Sequence, residues 1–334
     1  MLTTLDISHD RAQALVKQAT VGGTDVTLSV IIPSFNTAEF VVAAVESILS
    51  QTFKRLEVIV VDDGSTDCSL QQLERINDPR LTIITQPNRG LAGARNTGIL
   101  FARGKYIGLL DSDDVWYAQK AEKQLAVMET NPAIGLTFSY SAYLDENGAP
   151  TGQLLISHCM QPTARQLALR NHIGNGSTPI IRRECFEKVG MFEESLKALE
   201  DQEMWVRIAA EGSWKVQLIP EALTGYRVRS TSLTNSSYAR YVEQARLGIE
   251  TIRRDLPNLS QGGADRCYAE FLRIISRKAL SNGDIRISRS LMRDAIKLCP
   301  WLMFCDKRMC FKASPILRTS SKSLFGLYFI MLDL

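Results

Sequence analysis

Residues 28–36 read Leu-Ser-Val-Ile-Ile-Pro-Ser-Phe-Asn. A continuous apolar, β-branched run halted by proline is the pattern of a strand covered on both faces. A strand with one wet face would instead alternate apolar and polar residues. The run therefore predicts a strand in the interior of a parallel sheet, and the sequence around it repeats the theme. Residues 38–51 carry helical spacing at Phe40, Val41, Ala44, Val45 and Ile48. Then follow a strand at 56–61 (LEVIVV), a helix at 67–76, a strand at 81–85, a helix at 91–102 and a strand at 105–110. Strict alternation of this kind predicts βαβ units on a doubly wound α/β sheet.

Ligands of such sheets bind beyond the carboxyl ends of the strands. Those ends read Pro33-Ser34-Phe35-Asn36, Asp62-Asp63-Gly64-Ser65, Gln86-Pro87-Asn88 and Asp111-Ser112-Asp113-Asp114. Two of the four are acidic. Beyond Tyr117 the alternation weakens. It gives a helix at 118–129, a strand at 134–140, a tight turn at Asn147-Gly148 and a strand at 177–181. Helices at 184–189 and 200–211 and two short strands at 214–219 and 223–228 come next. From residue 236 the pattern is helical, with candidates at 238–254, 264–281 and 285–298. The chain thus divides into an N-terminal arm (1–25, a short helix or loose segment), a catalytic-type domain (26–235) and a helical C-terminal extension (236–334).

Composition narrows the function classes. Apolar residues make up 45% and charged residues 22%, with a net charge of +3, too small a field to suggest nucleic-acid binding. Seven cysteines without a C-x-x-C pair, and three histidines, argue against zinc and for a reducing, cytoplasmic setting. The N-terminus has no signal-peptide pattern, and no run reaches the ~20 apolar residues needed to span a bilayer. The tail beyond residue 300 mixes Trp301, Met303 and Phe304 with five cations against two anions. It is read either as a peripheral contact with an anionic membrane or as a packing surface. Nothing in the sequence fixes an oligomeric state.

Four segments carry candidate chemistry. In Asp111-x-Asp113-Asp114, three carboxylates within four residues repel one another unless they share a cation, and hard oxygens select Mg²⁺ or Mn²⁺ over zinc. On residues alone the cluster reads equally as a metal site or as a solvated, helix-capping turn. In VVDDGSTD (60–67), Asp63 can accept from a nucleoside, while Ser65 or Thr66 can cap the next helix. In NRGLAGARN (88–96), glycines allow close approach and a helix start offers N–H groups to an anion; Arg95 is either a nucleotide contact or a surface cation. In LEDQEMWVR (199–207), the helix dipole keeps Asp201 ionised while Glu200 pushes the other way, and Glu203–Arg207 is an i,i+4 pair expected at the surface.

Taken in order, SVIIPSFN (29–36), VVDDGSTD, NRGLAGARN, GKYIGLLDSDD (104–114), STPIIRRECFEKVGMFEESL (177–196), Glu200-Asp201 and YRVRSTSLTN (226–235) resemble the inverting glycosyltransferases of family 2. The resemblance implies a GT-A, Rossmann-like mixed sheet flanked by helices. It further implies an enzyme that moves a sugar from a nucleotide-diphosphate sugar, UDP-sugar foremost, to a glycan or lipid-linked acceptor. Pro33, Phe35 and Asp63 would line the nucleoside pocket, with Arg95 and Ser112 on the donor side. Asp111 and Asp113 would serve ribose and metal, with Asp114 as an alternative metal ligand. Asp201 would be the general base, flanked by Glu200. Many relatives carry Tyr-Arg-x-His late in the domain. Here that place is Arg229, which cannot ligate a cation; either it contacts the diphosphate instead or the metal is held more weakly. The alternative reading is a catalytically silent sugar-nucleotide or glycan-binding member. A sugar-1-phosphate nucleotidyltransferase is disfavoured because 33–36 lacks glycine.

Overall fold

Strands β3 (Leu28–Ser34), β4 (Leu56–Asp62), β5 (Leu81–Thr85) and β6 (Tyr106–Leu109) lie parallel, in the spatial order β5-β4-β3-β6. The computed structural model describes residues 2–7, 12–17, 26–229, 238–256, 261–300 and 302. Helices α1 (Val41–Leu49), α2 (Ser69–Leu73) and α3 (Gly90–Phe101) join the first four strands. The order reverses at β3, where one neighbour continues toward β5 and the other is β6. A crevice opens at such a reversal, here between Phe35 and the Asp111–Asp114 cluster.

The unbroken apolar runs have the expected cause. Val30, Ile32, Val58 and Val60 face one core with α1, which supplies Val41, Ala44, Val45 and Ile48. Ile31, Ile59, Val61, Ile84, Ile107 and Leu109 face the other, with Ala92, Ala94 and Ile99 of α3. Because successive side chains point to opposite faces, two buried faces demand an apolar residue at every position.

The second half makes the sheet mixed. After β7 (Val115–Trp116) and α4 (Lys120–Thr130) come β8 (Ile134–Leu144), β9 (Pro150–Leu155), α5 (Ala164–Leu169) and β10 (Ile180–Arg182). Helices α6 (Arg183–Val189) and α7 (Glu200–Ala210) and strand β11 (Lys215–Arg227) complete it. Strand β10 is antiparallel to both β6 and β8, and β11 runs parallel to β8 and pairs antiparallel with β7. The two short strands expected at 214–228 are one long strand. Register shifts near Ile219 and Ala222, beside Pro220, bend it without ending it. The N-terminal arm, expected as helix or loose chain, contributes β1 (Leu2–Ile7) and β2 (Ala12–Lys17), which extend the sheet at β5. An exposed edge strand offers unpaired backbone groups, and β2 covers those of β5.

The C-terminal extension is helical, as its periodicity predicts: α8 (Tyr238–Asp255), α9 (Gln261–Ser281) and α10 (Ile285–Leu298). It is not a separate appendage in packing. Ala245, Ile249 and Ile252 of α8 and Cys267, Phe271 and Ile275 of α9 join the core that holds Met204, Trp205 and Ile208 of α7. Among the described residues, no helix is long and apolar enough to cross a membrane. The cationic tail, read either as a membrane contact or as a packing surface, lies outside the described residues, apart from Leu302.

Candidate active site

Each acidic strand end has a defined local job. Asp63 is buried: its Oδ1 accepts from Gln86 Nε2 (2.6 Å) and the Arg89 N–H (2.8 Å), and its Oδ2 from the Gly90 N–H (2.7 Å). It therefore caps the N-terminus of α3. The helix start that offered N–H groups to a ligand anion is served by the protein's own carboxylate. Asp63, expected in the nucleoside pocket, thus has a capping role in the fold. Its neighbour Asp62 has a buried Oδ1 without a partner, and burial raises its pKa despite hydrogen bonds from Ser65. Phe35 is 49% exposed at the end of β3, with Pro33 buried behind it. The adjacent Asn36, at φ 52°, has Oδ1 accepting from the Thr66 and Asp67 N–H groups, which locks the two strand ends together.

The Asp111–Asp114 turn is held from below by Ser177. Its Oγ accepts from the Asp111 N–H (3.0 Å) and donates to Asp114 Oδ2 (2.6 Å). Asp114 Oδ1 accepts from the Arg227 N–H (2.8 Å). Asp114 is 1% exposed, and burial, then Asp113 and Asp111, push its pKa well up. Both oxygens of Asp114, expected as an alternative metal ligand, are thus hydrogen-bonded to the scaffold and anchor the turn. Ser112 is buried as well. Asp111 and Asp113 remain partly exposed at the crevice. Burial and the charge of Asp111 raise the Asp113 pKa, while Arg229 Nη1 pairs with Asp113 Oδ2 at 2.9 Å. The Arg229 guanidinium also lies 4.8 Å from the Phe40 ring centre.

Arg95 is not a surface cation. It is 1% exposed, with Nη2 to Asp111 Oδ1 at 2.8 Å, Nη1 to Glu200 Oε1 at 3.0 Å, and its plane 5.5 Å from the Phe192 ring centre. Burial works against its charge, and Asp111 and Glu200 more than offset it. Its neighbours reach the same way. Arg89 pairs with Glu194 (2.7 Å), and Asn96 exchanges hydrogen bonds with the Phe192 backbone (2.9 Å each way). The 88–96 segment thus fastens the donor-side strands to the chain leading into α7. Its basic and amide residues were visible in the sequence; their partners, about a hundred residues away, were not.

At the start of α7, Leu199 takes the left-handed conformation (φ 63°) with no side-chain cap. That conformation costs a β-carbon-bearing residue about 1–2 kcal/mol, and the surroundings enforce it. Gly248 of α8 lies so close that a β-carbon there would stand 3.1 Å from Leu199 Cβ and 3.2 Å from the Ala198 carbonyl oxygen. The turn presents Asp201, half-buried, with Oδ1 accepting from the Gln202 N–H (2.6 Å) and Oδ2 from Asn171 Nδ2 (3.2 Å). Burial and the charge of Glu200, against the pull of Arg95, push Asp201 up to about 7. Glu203–Arg207 is no surface pair: Glu203 is buried, and Arg207 also donates to the Val189 and Met191 carbonyls.

Among the described residues, no three Asp, Glu, His or Cys side chains converge as a metal cage. The crevice offers Asp113 and Asp111, whose mutual repulsion a cation would relieve. That donor set fits Mg²⁺ or Mn²⁺ of the type that takes one or two carboxylates and completes its shell with substrate phosphate and water.

Two aspartates facing a crevice at the sheet's reversal, and a third carboxylate near neutrality across a buried arginine, suit transfer from a phosphorylated donor. The model of "Glycosyl transferase family 2" matches residues 29–190. The UDP-Glc:alpha-D-GlcNAc-diphosphoundecaprenol beta-1,3-glucosyltransferase WfaP of Escherichia coli is 30% identical over 230 residues, 65% of this chain and 84% of that protein. The chain belongs to glycosyltransferase family 2. It is accordingly a transferase rather than a sugar-binding module. The putative teichuronic acid biosynthesis glycosyltransferase TuaG of Bacillus subtilis (strain 168) is 29% identical over 258 residues, 76% of this chain and 97% of that one. The crystal structure of S. aureus TarS 1–349 in complex with UDP-GlcNAc aligns with a TM-score of 0.59 at 22% identity, covering 84% of this chain and 83% of that one. Mannosyltransferase PcManGT from Pyrobaculum calidifontis, in complex with GDP-Man and Mn²⁺, aligns with a TM-score of 0.56 at 17% identity, covering 95% and 81%. These likenesses show the transferase to have the GT-A fold.

Removing the buried cation should be severe. Arg95→Met leaves Asp111 and Glu200 facing each other without compensation and is expected to cost about 3–5 kcal/mol. Urea unfolding measures this, and an unchanged midpoint would show that the bridge does not hold the two halves.

Proposed function

We propose that the transferase moves a sugar from a UDP-sugar to a glycan or lipid-linked acceptor of the cell envelope, with inversion, using Asp201 as general base and a divalent cation at Asp113. The observation that carries the reading is Asp201 itself: a carboxyl with a pKa of about 7, at a strained helix start, linked through Glu200 and Arg95 to the donor-side Asp111. A general base is most effective when its pKa lies near the working pH. UDP-GlcNAc in TarS supports the donor class, and the names of WfaP and TuaG support the envelope acceptor.

On this reading the Phe35 ring provides a face for the base, and the unpartnered Asp62 Oδ1 accepts a hydrogen bond from the nucleoside. Asp113, with Asp111, holds the cation, which when bound neutralises charge on the departing nucleoside diphosphate. Arg229, beside Asp113, supplies a fixed positive charge to the same phosphates. Asp201 takes the proton of the acceptor hydroxyl as its oxygen bonds to the anomeric carbon. The bond from that carbon to the diphosphate oxygen breaks on the opposite face, and its electrons leave with the nucleoside diphosphate. One displacement inverts the centre, and no enzyme nucleophile takes part.

Asp201→Asn should lower transfer by about 10²–10⁴-fold while leaving donor binding intact; unchanged turnover would eliminate the base assignment. For the cation, donor is titrated with and without Mn²⁺. The wild type should gain affinity from the metal and Asp113→Ala should lose most of that gain, whereas an equal gain in both proteins would place the metal elsewhere.

A further inference from the structure

A pocket opens between β8, the chain following β9 and the turn after α5. Its wall includes Arg170, His158, His172, Ser157 and Asn171, and no carboxylate. Among the described residues, no acidic group pairs with the Arg170 guanidinium, and neither imidazole has a hydrogen-bond partner. Burial and the charge of Arg170 hold the His172 pKa below its usual value, the state of an imidazole beside a cation with no anion to balance it. One pocket residue reaches the proposed base. Asn171 accepts at Oδ1 from the Ile173 and Gly174 N–H groups (3.1 Å each), which fixes the amide so that Nδ2 donates to Asp201 Oδ2. On the outer side the same wall turns apolar. Ile156, which lines the pocket, is 43% exposed, and Leu154, two residues before it in the chain, is 53% exposed.

We propose that this pocket receives the diphosphate of a lipid-linked acceptor, with Arg170, His158 and His172 on the phosphates and Ile156, with Leu154 two residues before it, against the first carbons of the lipid. The proposal rests on the transferase reading above and assigns its acceptor class. The order of chemistries on the protein is base, amide, cationic pocket, apolar rim. The order in such an acceptor is sugar hydroxyl, sugar ring, diphosphate, hydrocarbon. A free polysaccharide would use neither the unbalanced guanidinium nor the apolar rim.

The test uses the full chain with UDP and Mg²⁺ in excess, so that the donor's diphosphate site is filled, and titrates decyl diphosphate, inorganic diphosphate and decanol. Decyl diphosphate should bind at least about tenfold more tightly than either other probe, since it engages both the cations and the rim. Arg170→Ala, at an exposed position, should keep the wild-type melting temperature and lose about tenfold in affinity for decyl diphosphate. The double variant Leu154→Ser/Ile156→Ser should bind decyl diphosphate no better than inorganic diphosphate. Equal affinity of the wild type for decyl and inorganic diphosphate would reduce the pocket to a free-phosphate site and overturn the proposal. Equal affinity for decanol, or undiminished binding by Arg170→Ala, would overturn it too. UDP binding, read first in the same cell, reports on the donor reading separately: if UDP fails to bind, the UDP-donor reading fails whatever the later titrations give.

Discussion

A guanidinium taken almost wholly out of water and placed between two carboxylates is the constraint on which the rest of this site depends. Arg95 has Asp111 on one side and Glu200 on the other. A buried charge is tolerable only when paired and hydrogen-bonded, so the ends of β6 and α7 cannot drift apart without exposing an uncompensated charge in the interior. Asp111 belongs to the turn that also carries Asp113. Glu200 adjoins Asp201. The two chemical tasks assigned to this chain, holding a departing diphosphate and accepting a proton, are therefore referred to one cation. Glu200 raises the Asp201 pKa and Arg95 lowers it, so the bridge also sets the balance at which the base sits.

The helices beyond residue 238 gain a role from this arrangement. Leu199 adopts a backbone conformation that it would not choose alone, and Gly248 of α8 is the point of contact behind it. Burial of Ala245, Ile249 and Ile252 against the α7 layer holds α8 in place. The C-terminal helices thus brace the strained turn that presents Asp201. Family resemblance gave these helices no function, and packing supplies one.

The central parallel strands were legible because burial on two faces leaves an unmistakable signature: every residue from Val30 to Ile32 and from Val58 to Val61 is apolar. The positions of the acidic clusters at strand ends followed from the same reading. Their division of labour did not. Asp62 from Asp63, and Asp113 from Asp114, differ only in which way each carboxyl points. That is settled by Gln86, Gly90, Ser177 and Arg227, residues distant in sequence. The burial of Arg95 was hidden for the same reason, since a lone arginine on a glycine-rich helix looks solvated until Asp111 and Glu200 close around it. Strand β9 and helix α5 escaped notice because both segments are short and β9 is largely exposed. The pocket beside Asn171 lies in that stretch.

The most direct measurement is the pH dependence of kcat/KM for sugar transfer between pH 5.5 and 8.5, with donor metal saturating. The base acts in its ionised form, and Asp201 is pushed up to about 7. Protonation as pH falls below that value should therefore cut the rate about tenfold per unit, with a plateau above it. A profile that stays flat down to pH 5.5 would mean that the group taking the proton has an ordinary carboxylate pKa or is not Asp201. In either case the bridged site described here would not be the one that sets the rate.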